Sequence, residues 1–110
     1  MITAWCNDCD FETLFERGVE AHGCEGAVLI AISTSGTSKN VVLGAQKAKE
    51  MGMGVISMTG EGGATLADYT DALLDVPHKT TAMIQQVHVC YYHYFCEELE
   101  RRVAEARGEI

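Results

Sequence analysis

The sequence predicts an α/β domain built on a parallel, right-handed sheet, and three observations carry that expectation. Short apolar runs alternate with segments of helical periodicity along the whole chain, the pattern of βαβ units. The run Ala27 to Ile32 breaks without transition into five hydroxyl residues and a glycine, packed into Ser33 to Ser38. A helix-forming segment follows at once, so the hydroxyl cluster is a strand-to-helix loop.

Taken in order, Ile2 to Cys6 reads as the end of a short strand. Phe11 to Ala21 carries Phe11, Leu14, Phe15 and Val19 at helical spacing, and Gly23 ends it. Ala27 to Ile32 is short, branched and bounded by turn residues, which suits a strand buried on both faces. Lys39 to Met51 places Val41, Val42, Ala45, Ala48 and Met51 on one side, and Gly52 stops it. Val55 to Met58 is the next strand. Thr59 to Gly63 repeats the strand-to-loop theme, and Ala64 to Tyr69 reads as a short helix or turn. Ala72 to Val76 is a further strand stopped by Pro77. Thr80 to Arg107 forms one long helix, ended by Gly108.

With 110 residues, 47% of them hydrophobic, the chain suffices for one domain with a real core, residues 1–110. No apolar run approaches membrane-spanning length, and no signal peptide is visible, so a cytoplasmic location is expected. Eight basic side chains against sixteen acidic ones give a formal charge of −8. That balance argues against nucleic acid as a partner. Five irregularly spaced cysteines argue against a disulfide framework. Cys6 and Cys9 form a nominal C-x-x-C, either half of a zinc site or a redox pair. With no second C-x-x-C to complete four ligands, the spacing reads as coincidence.

The loop Ser33 to Ser38 carries the functional signal. A strand-to-helix loop aims free N–H groups and the positive end of a helix dipole at one point. Ser33, Thr34, Ser35, Thr37 and Ser38 add hydroxyl donors there. Capping and turn formation account for one or two hydroxyls, not for five in six residues. The loop lacks the spacing of a Walker A loop and holds one glycine, too few for a dinucleotide fingerprint. Hydroxyls without a lysine suit a sugar phosphate better than a triphosphate. Thr59 to Gly63 falls at the same carboxyl edge of the sheet, where ligands of such folds bind.

On the last helix, Met83, Ile84, Val87, Tyr91, Tyr94, Phe95 and Leu99 make an apolar band. Gln85 and His93 lie two turns apart and about 80° round the helix, within reach of one pocket. His88 lies farther round and reads as structural. The Tyr91, Tyr92, Tyr94, Phe95 cluster reads as packing surface, and a helix this apolar implies burial against a second subunit.

The segments I-A-I-S-T-S-G-T-S-K-N-V (30–41), A-K-E-M-G-M-G-V-I-S-M-T-G (48–60), D-V-P-H (75–78) and I-Q-Q-V-H-V-C-Y-Y-H (84–93) resemble the sugar isomerase (SIS) domain. They resemble its phosphoheptose isomerase branch most, as does T-A-W-C-N-D at 3–8 with Phe11 and Glu12. The resemblance implies a three-layer α/β/α fold with a parallel flavodoxin-like sheet. Set against that pattern, the N-terminal helices, the first strand and a Gly-Asn-Gly-Gly-Ser loop are missing. A glutamate base and a further metal-binding histidine belong to that missing part, and Met83 stands where a basic residue is common.

The resemblance further implies conversion of sedoheptulose 7-phosphate to D-glycero-D-manno-heptose 7-phosphate, a step of surface-heptose synthesis. Ser33, Thr34, Ser35 and Ser38 then correspond to phosphate and substrate contacts, and Asn7 and Asp8 to sugar contacts. Gln85 corresponds to a substrate contact that also binds metal in zinc-containing members. His93 corresponds to the active-site histidine, also a zinc ligand there. The implied cofactor is zinc, with no organic cofactor, and the implied assembly is a homo-oligomer through the C-terminal helix. The alternative is a non-catalytic SIS module that senses a phosphosugar or docks on a protein. Isomerisation moves a proton between adjacent carbons through an enediol, and a histidine can serve as acid or base for it. Anchoring the distant phosphate would hold the reacting end in register.

Overall fold

The structure, a computed structural model, describes residues 1–110. Helices α1 (Ile2–Asp8) and α2 (Leu14–His22) precede strand β1 (Val28–Ile32) and helix α3 (Lys39–Glu50). Strand β2 (Gly54–Gly60), a 3₁₀ turn (Ala64–Tyr69), strand β3 (Ala72–Val76) and helix α4 (Thr81–Ala106) follow. The three strands are parallel in the order β1-β2-β3, with Ile30 beside Ile56 and Met58 beside Leu74. Helices cover both sides, giving the expected three-layer α/β/α arrangement. No helix is long and apolar enough to cross a membrane.

The core lies between the sheet and α3. Ala31 and Val55 pack with Ala45 and Ala48 of α3, Val19 of α2, Met53, and Leu66 of the 3₁₀ turn. Ala45 and Ala48 are fully buried; their small side chains let α3 lie close on the strands. Lys47 ties α2 to α3, with its Nζ 3.4 Å from Glu20 and 3.1 Å from Glu50. On the opposite face α4 lies over β2 and β3. There Met58, Ile84 and His88 are buried, and the His88 Nε2–H donates to the Thr59 carbonyl at 2.8 Å. His88 is thus structural, as its place on the helix predicts.

Two expectations are corrected. Ile2 to Cys6 is helix, not strand: Trp5 N–H donates to Met1 O and Cys9 N–H to Trp5 O. A strand needs a neighbour to satisfy its backbone, whereas a helix satisfies itself. No strand adjoins this segment, and none of its residues is buried. Side chains alone hold it, through Trp5 Nε1–H to Thr13 Oγ1 at 3.0 Å and Arg17 over the Trp5 ring at 5.7 Å. Strand β1, in turn, is not buried on both faces. Ala31 is 4% exposed, but Val28 is 57% and Ile32 49% exposed. The reason is its position: β1 is an edge strand, and α4 does not extend over it.

Candidate functional site

Three loops follow the carboxyl ends of the three strands, and together they line a polar cavity of about 680 Å³. The first is the hydroxyl loop. Ser33 continues the ladder with its N–H to Met58 O at 3.0 Å, which buries the residue. Its Oγ donates to Ser38 Oγ at 3.0 Å and accepts from Gly36 N–H at 3.1 Å. Ser35 Oγ accepts from the N–H and the hydroxyl of Thr37 at 3.2 and 3.1 Å. The loop is therefore folded on its own hydroxyls. Ser38 is the N-cap residue of α3, yet its side chain makes no capping bond; the Val41 N–H donates to Asn40 Oδ1 at 2.9 Å, which leaves the N–H groups of Lys39 and Asn40 open to an anion.

The second loop, after β2, is locked to the first. Gly60 N–H donates to Thr34 O at 2.9 Å, and Leu66 N–H to Gly36 O at 2.9 Å. This contact demands glycine at 36, where φ is +69° and a Cβ would stand 2.2 Å from Gly63 O. The third loop, between β3 and α4, brings His78 and Lys79 to the same cavity. The Thr80 N–H donates to His78 Nδ1 at 3.0 Å, so the neutral ring carries its proton on Nε2. Gln85, one turn into α4, donates from Nε2 to Thr34 Oγ1 at 3.4 Å.

The structure thus brings Ser33, Thr34, Ser35, Ser38 and Gln85 together in one cavity. Asn7 and Asp8 stand elsewhere, exposed at the end of α1, with Asn7 Nδ2 donating to Asp8 Oδ1 at 3.2 Å. His93 lies farther along α4, exposed, its ring edge-on to Tyr92 at 5.2 Å and outside the cavity lining. Glu61 falls within the Thr59 to Gly63 segment expected at this rim, whereas sequence reasoning passed over His78, Lys79 and Thr81 as cavity residues. The signal was available: strand β3 ends at Val76, so the loop after it must reach the same rim as the other two.

A zinc ion does not fit the residues this chain assembles. Gln85 and His93 offer one amide and one imidazole, whereas zinc sites take three or four protein ligands. No group of three His, Cys, Asp or Glu side chains comes together that could hold a metal. Cys6 and Cys9 are free thiols, Cys9 exposed.

Residues 14–92 match the SIS domain family. A phosphoheptose isomerase of Maridesulfovibrio salexigens is 43% identical over 110 residues, which cover all of this chain and 54% of the relative. One from Mycobacterium tuberculosis is 41% identical over 106 residues, covering 96% of this chain and 54% of the relative. Among solved structures, phosphoheptose isomerase GmhA from Neisseria gonorrhoeae superposes with a TM-score of 0.87 at 41% identity, covering 91% of this chain and 56% of that one. A phosphoheptose isomerase from Francisella tularensis gives 0.83 at 35% identity, covering 87% and 52%. The chain spans about half the length of the curated relatives it matches. The rim that gathers the hydroxyl loop and Gln85 is carried by a sequence matched from α2 into α4, and the chain belongs to the SIS domain family.

Proposed function

We propose that this chain serves the isomerisation of a phosphosugar, sedoheptulose 7-phosphate to D-glycero-D-manno-heptose 7-phosphate, as one SIS domain over residues 1–110. The observation that carries the reading is the joint lining of one rim cavity by Ser33, Thr34, Ser35, Ser38 and Gln85, in a chain 43% identical to a phosphoheptose isomerase. On this reading the hydroxyl loop and the open N-terminus of α3 hold the phosphoryl group. Gln85, whose Nε2 reaches Thr34 Oγ1, orients the sugar beside it. Fixing the phosphate at a built site turns the remaining chemistry into a positioned, unimolecular step.

His93 is the proton-transferring residue in this proposal, and Asn7 and Asp8 are sugar contacts. All three lie outside the cavity of the single chain. They meet substrate in a homo-oligomer assembled through α4, whose Tyr94 and Leu99 are exposed at 70% and 49%. The reaction moves a proton within one molecule, so it calls for no organic redox cofactor. The proposed setting is the cytoplasm, where sugar phosphates are made and used.

A second reading, a phosphosugar-binding module without catalysis, is favoured by the exposure of His93 away from the cavity. One experiment separates the two. Titration calorimetry should show that sedoheptulose 7-phosphate binds and free sedoheptulose does not. Ser33→Ala with Ser35→Ala should weaken binding at least tenfold, since a hydrogen bond to a charged group contributes about 1.5–3 kcal/mol. Equal binding of phosphorylated and free sugar would end both readings. Turnover abolished by His93→Ala would leave only the isomerase, and binding without turnover in the wild type only the module.

A further inference from the structure

Seven of the eight basic side chains are held by carboxylates. Arg17 pairs with Glu20, Lys39 with Glu12, Lys47 with Glu50 and Glu20, and Lys49 with Asp71. Arg101 and Arg102 share Glu98, and Arg107 reaches Glu109. In a chain of net charge −8, such pairing is what abundant carboxylates produce. Lys79 is the exception. It forms no ion pair, and it lines the same cavity as Ser33, Thr34, Ser35 and Ser38 of the hydroxyl loop.

We propose that Lys79 supplies the charge that the hydroxyl loop lacks, and so sets the preference of this cavity for a dianionic phosphomonoester over a neutral sugar. The inference rests on reading the cavity as a phosphate seat. Ser33, Ser35 and Ser38 offer direction and hydrogen bonds but no charge. Glu61 also lines the cavity, and with the overall negative field it opposes an anion. A cation on a flexible stem offsets both. It is placed by Pro77 and the bond from Thr80 N–H to His78 Nδ1, which fix the start of the short loop between β3 and α4. The His78 ring, its Nδ1 accepting from Thr80 N–H, has Nε2 left as a donor in the same loop. Lysine acts on phosphate as a point charge needing no fixed geometry, which suits an exposed position at a cavity mouth.

The test is calorimetric titration of the 110-residue chain with sedoheptulose 7-phosphate, free sedoheptulose and inorganic phosphate. Lys79→Met should weaken both phosphate-bearing probes about tenfold, the ratio expected for one charge contact. Lys79→Arg should stay within about twofold of wild type, since it keeps the charge. Raising salt should weaken wild-type binding more than that of Lys79→Met. Unchanged affinity and salt dependence in Lys79→Met, with binding still lost in Ser33→Ala/Ser35→Ala, would overturn the role of Lys79 and leave the phosphate seat standing. No preference for phosphorylated over free sugar in the wild type would overturn the phosphate seat and the role of Lys79 together.

Discussion

Strand β1 borders two hollows of similar size and opposite character. Its carboxyl end opens into the polar cavity of about 680 Å³, while its free edge lines an apolar groove of about 580 Å³ walled by α2 and by Met1 and Ile2 of the N-terminal segment. Ile32 belongs to both. The cavity is made of loops that hydrogen-bond to one another: Gly60 to Thr34, Leu66 to Gly36, Gln85 to Thr34. The groove is lined by apolar side chains along a strand paired on one edge only, with Val28 and Ile32 left exposed beside the buried Leu14, Val19 and Met53. A polar site can be completed by short-range loop chemistry. An apolar strand face is covered only if a distant element lies over it, and here α4 covers β2 and β3 but not β1.

Breaking that contrast gives the largest expected effect. Met58 is fully buried on the face that α4 covers, and Val28 is 57% exposed on the same face at the uncovered strand. Met58→Ala should cost about 2–5 kcal/mol in urea unfolding, as cavity-forming core truncations do. Val28→Ala should stay within about 0.5 kcal/mol. Equal costs would mean that β1 is covered in solution.

Two glycines sharpen it next. Gly36→Ala sets a Cβ 2.2 Å from Gly63 O at a positive φ. It should cost at least about 1–2 kcal/mol for the backbone conformation alone and weaken phosphate binding by prising the two loops apart. Gly18, on the groove side within α2, has open space where its Cβ would stand. Gly18→Ala should stabilise by about 0.5–1 kcal/mol, read as a higher urea midpoint.

The two histidines of α4 give an effect of similar or smaller size. His88→Leu removes the donor to the buried Thr59 carbonyl and should cost about 1–3 kcal/mol. His93→Leu, at an exposed position, should leave the urea midpoint unchanged within about 0.5 kcal/mol.

The smallest effect belongs to the far end of α4, beyond both hollows. Hydrogen bonds from Arg101 and Arg102 hold the Glu98 carboxyl well below its ordinary 4.5, at about 2. A carboxyl lowered on folding stabilises the fold above its unfolded value, and the contribution is lost as pH falls through the folded one. Between pH 5 and pH 2 the wild type should therefore lose more thermal stability than Glu98→Gln. The difference should be small and shrink with salt, because the pairs are exposed.

Much of this was legible in the chain itself. Strand β3 has the bounds read from the sequence, Ala72 to Val76, because Pro77 ends it. Helix α3 starts at Lys39, and α4 follows Thr80, within a residue of expectation. These elements depend on period and punctuation, which are local. The hydroxyl loop was legible for the same reason, since five hydroxyls after a strand need no distant partner to be recognised. The segment Ile2 to Cys6 was misread because strand and helix differ there only in whether a neighbouring strand exists. Lys79 was passed over because one lysine in a short loop carries no pattern.

By itself, then, the sequence determined which segments from α2 onward would be strand, helix and turn, and which loop would be rich in donors. Those properties follow from side-chain period and backbone freedom within a few neighbours. Only the tertiary structure decided what stands beside what. It left β1 at the edge of the sheet, turned the N-terminal segment into helix, and brought Lys79 and Gln85 to the cavity of the hydroxyl loop. Parallel strands place loops from distant parts of the chain along one rim. Which charge faces which hydroxyl is fixed by register and crossover, and neither is written in any single stretch of residues.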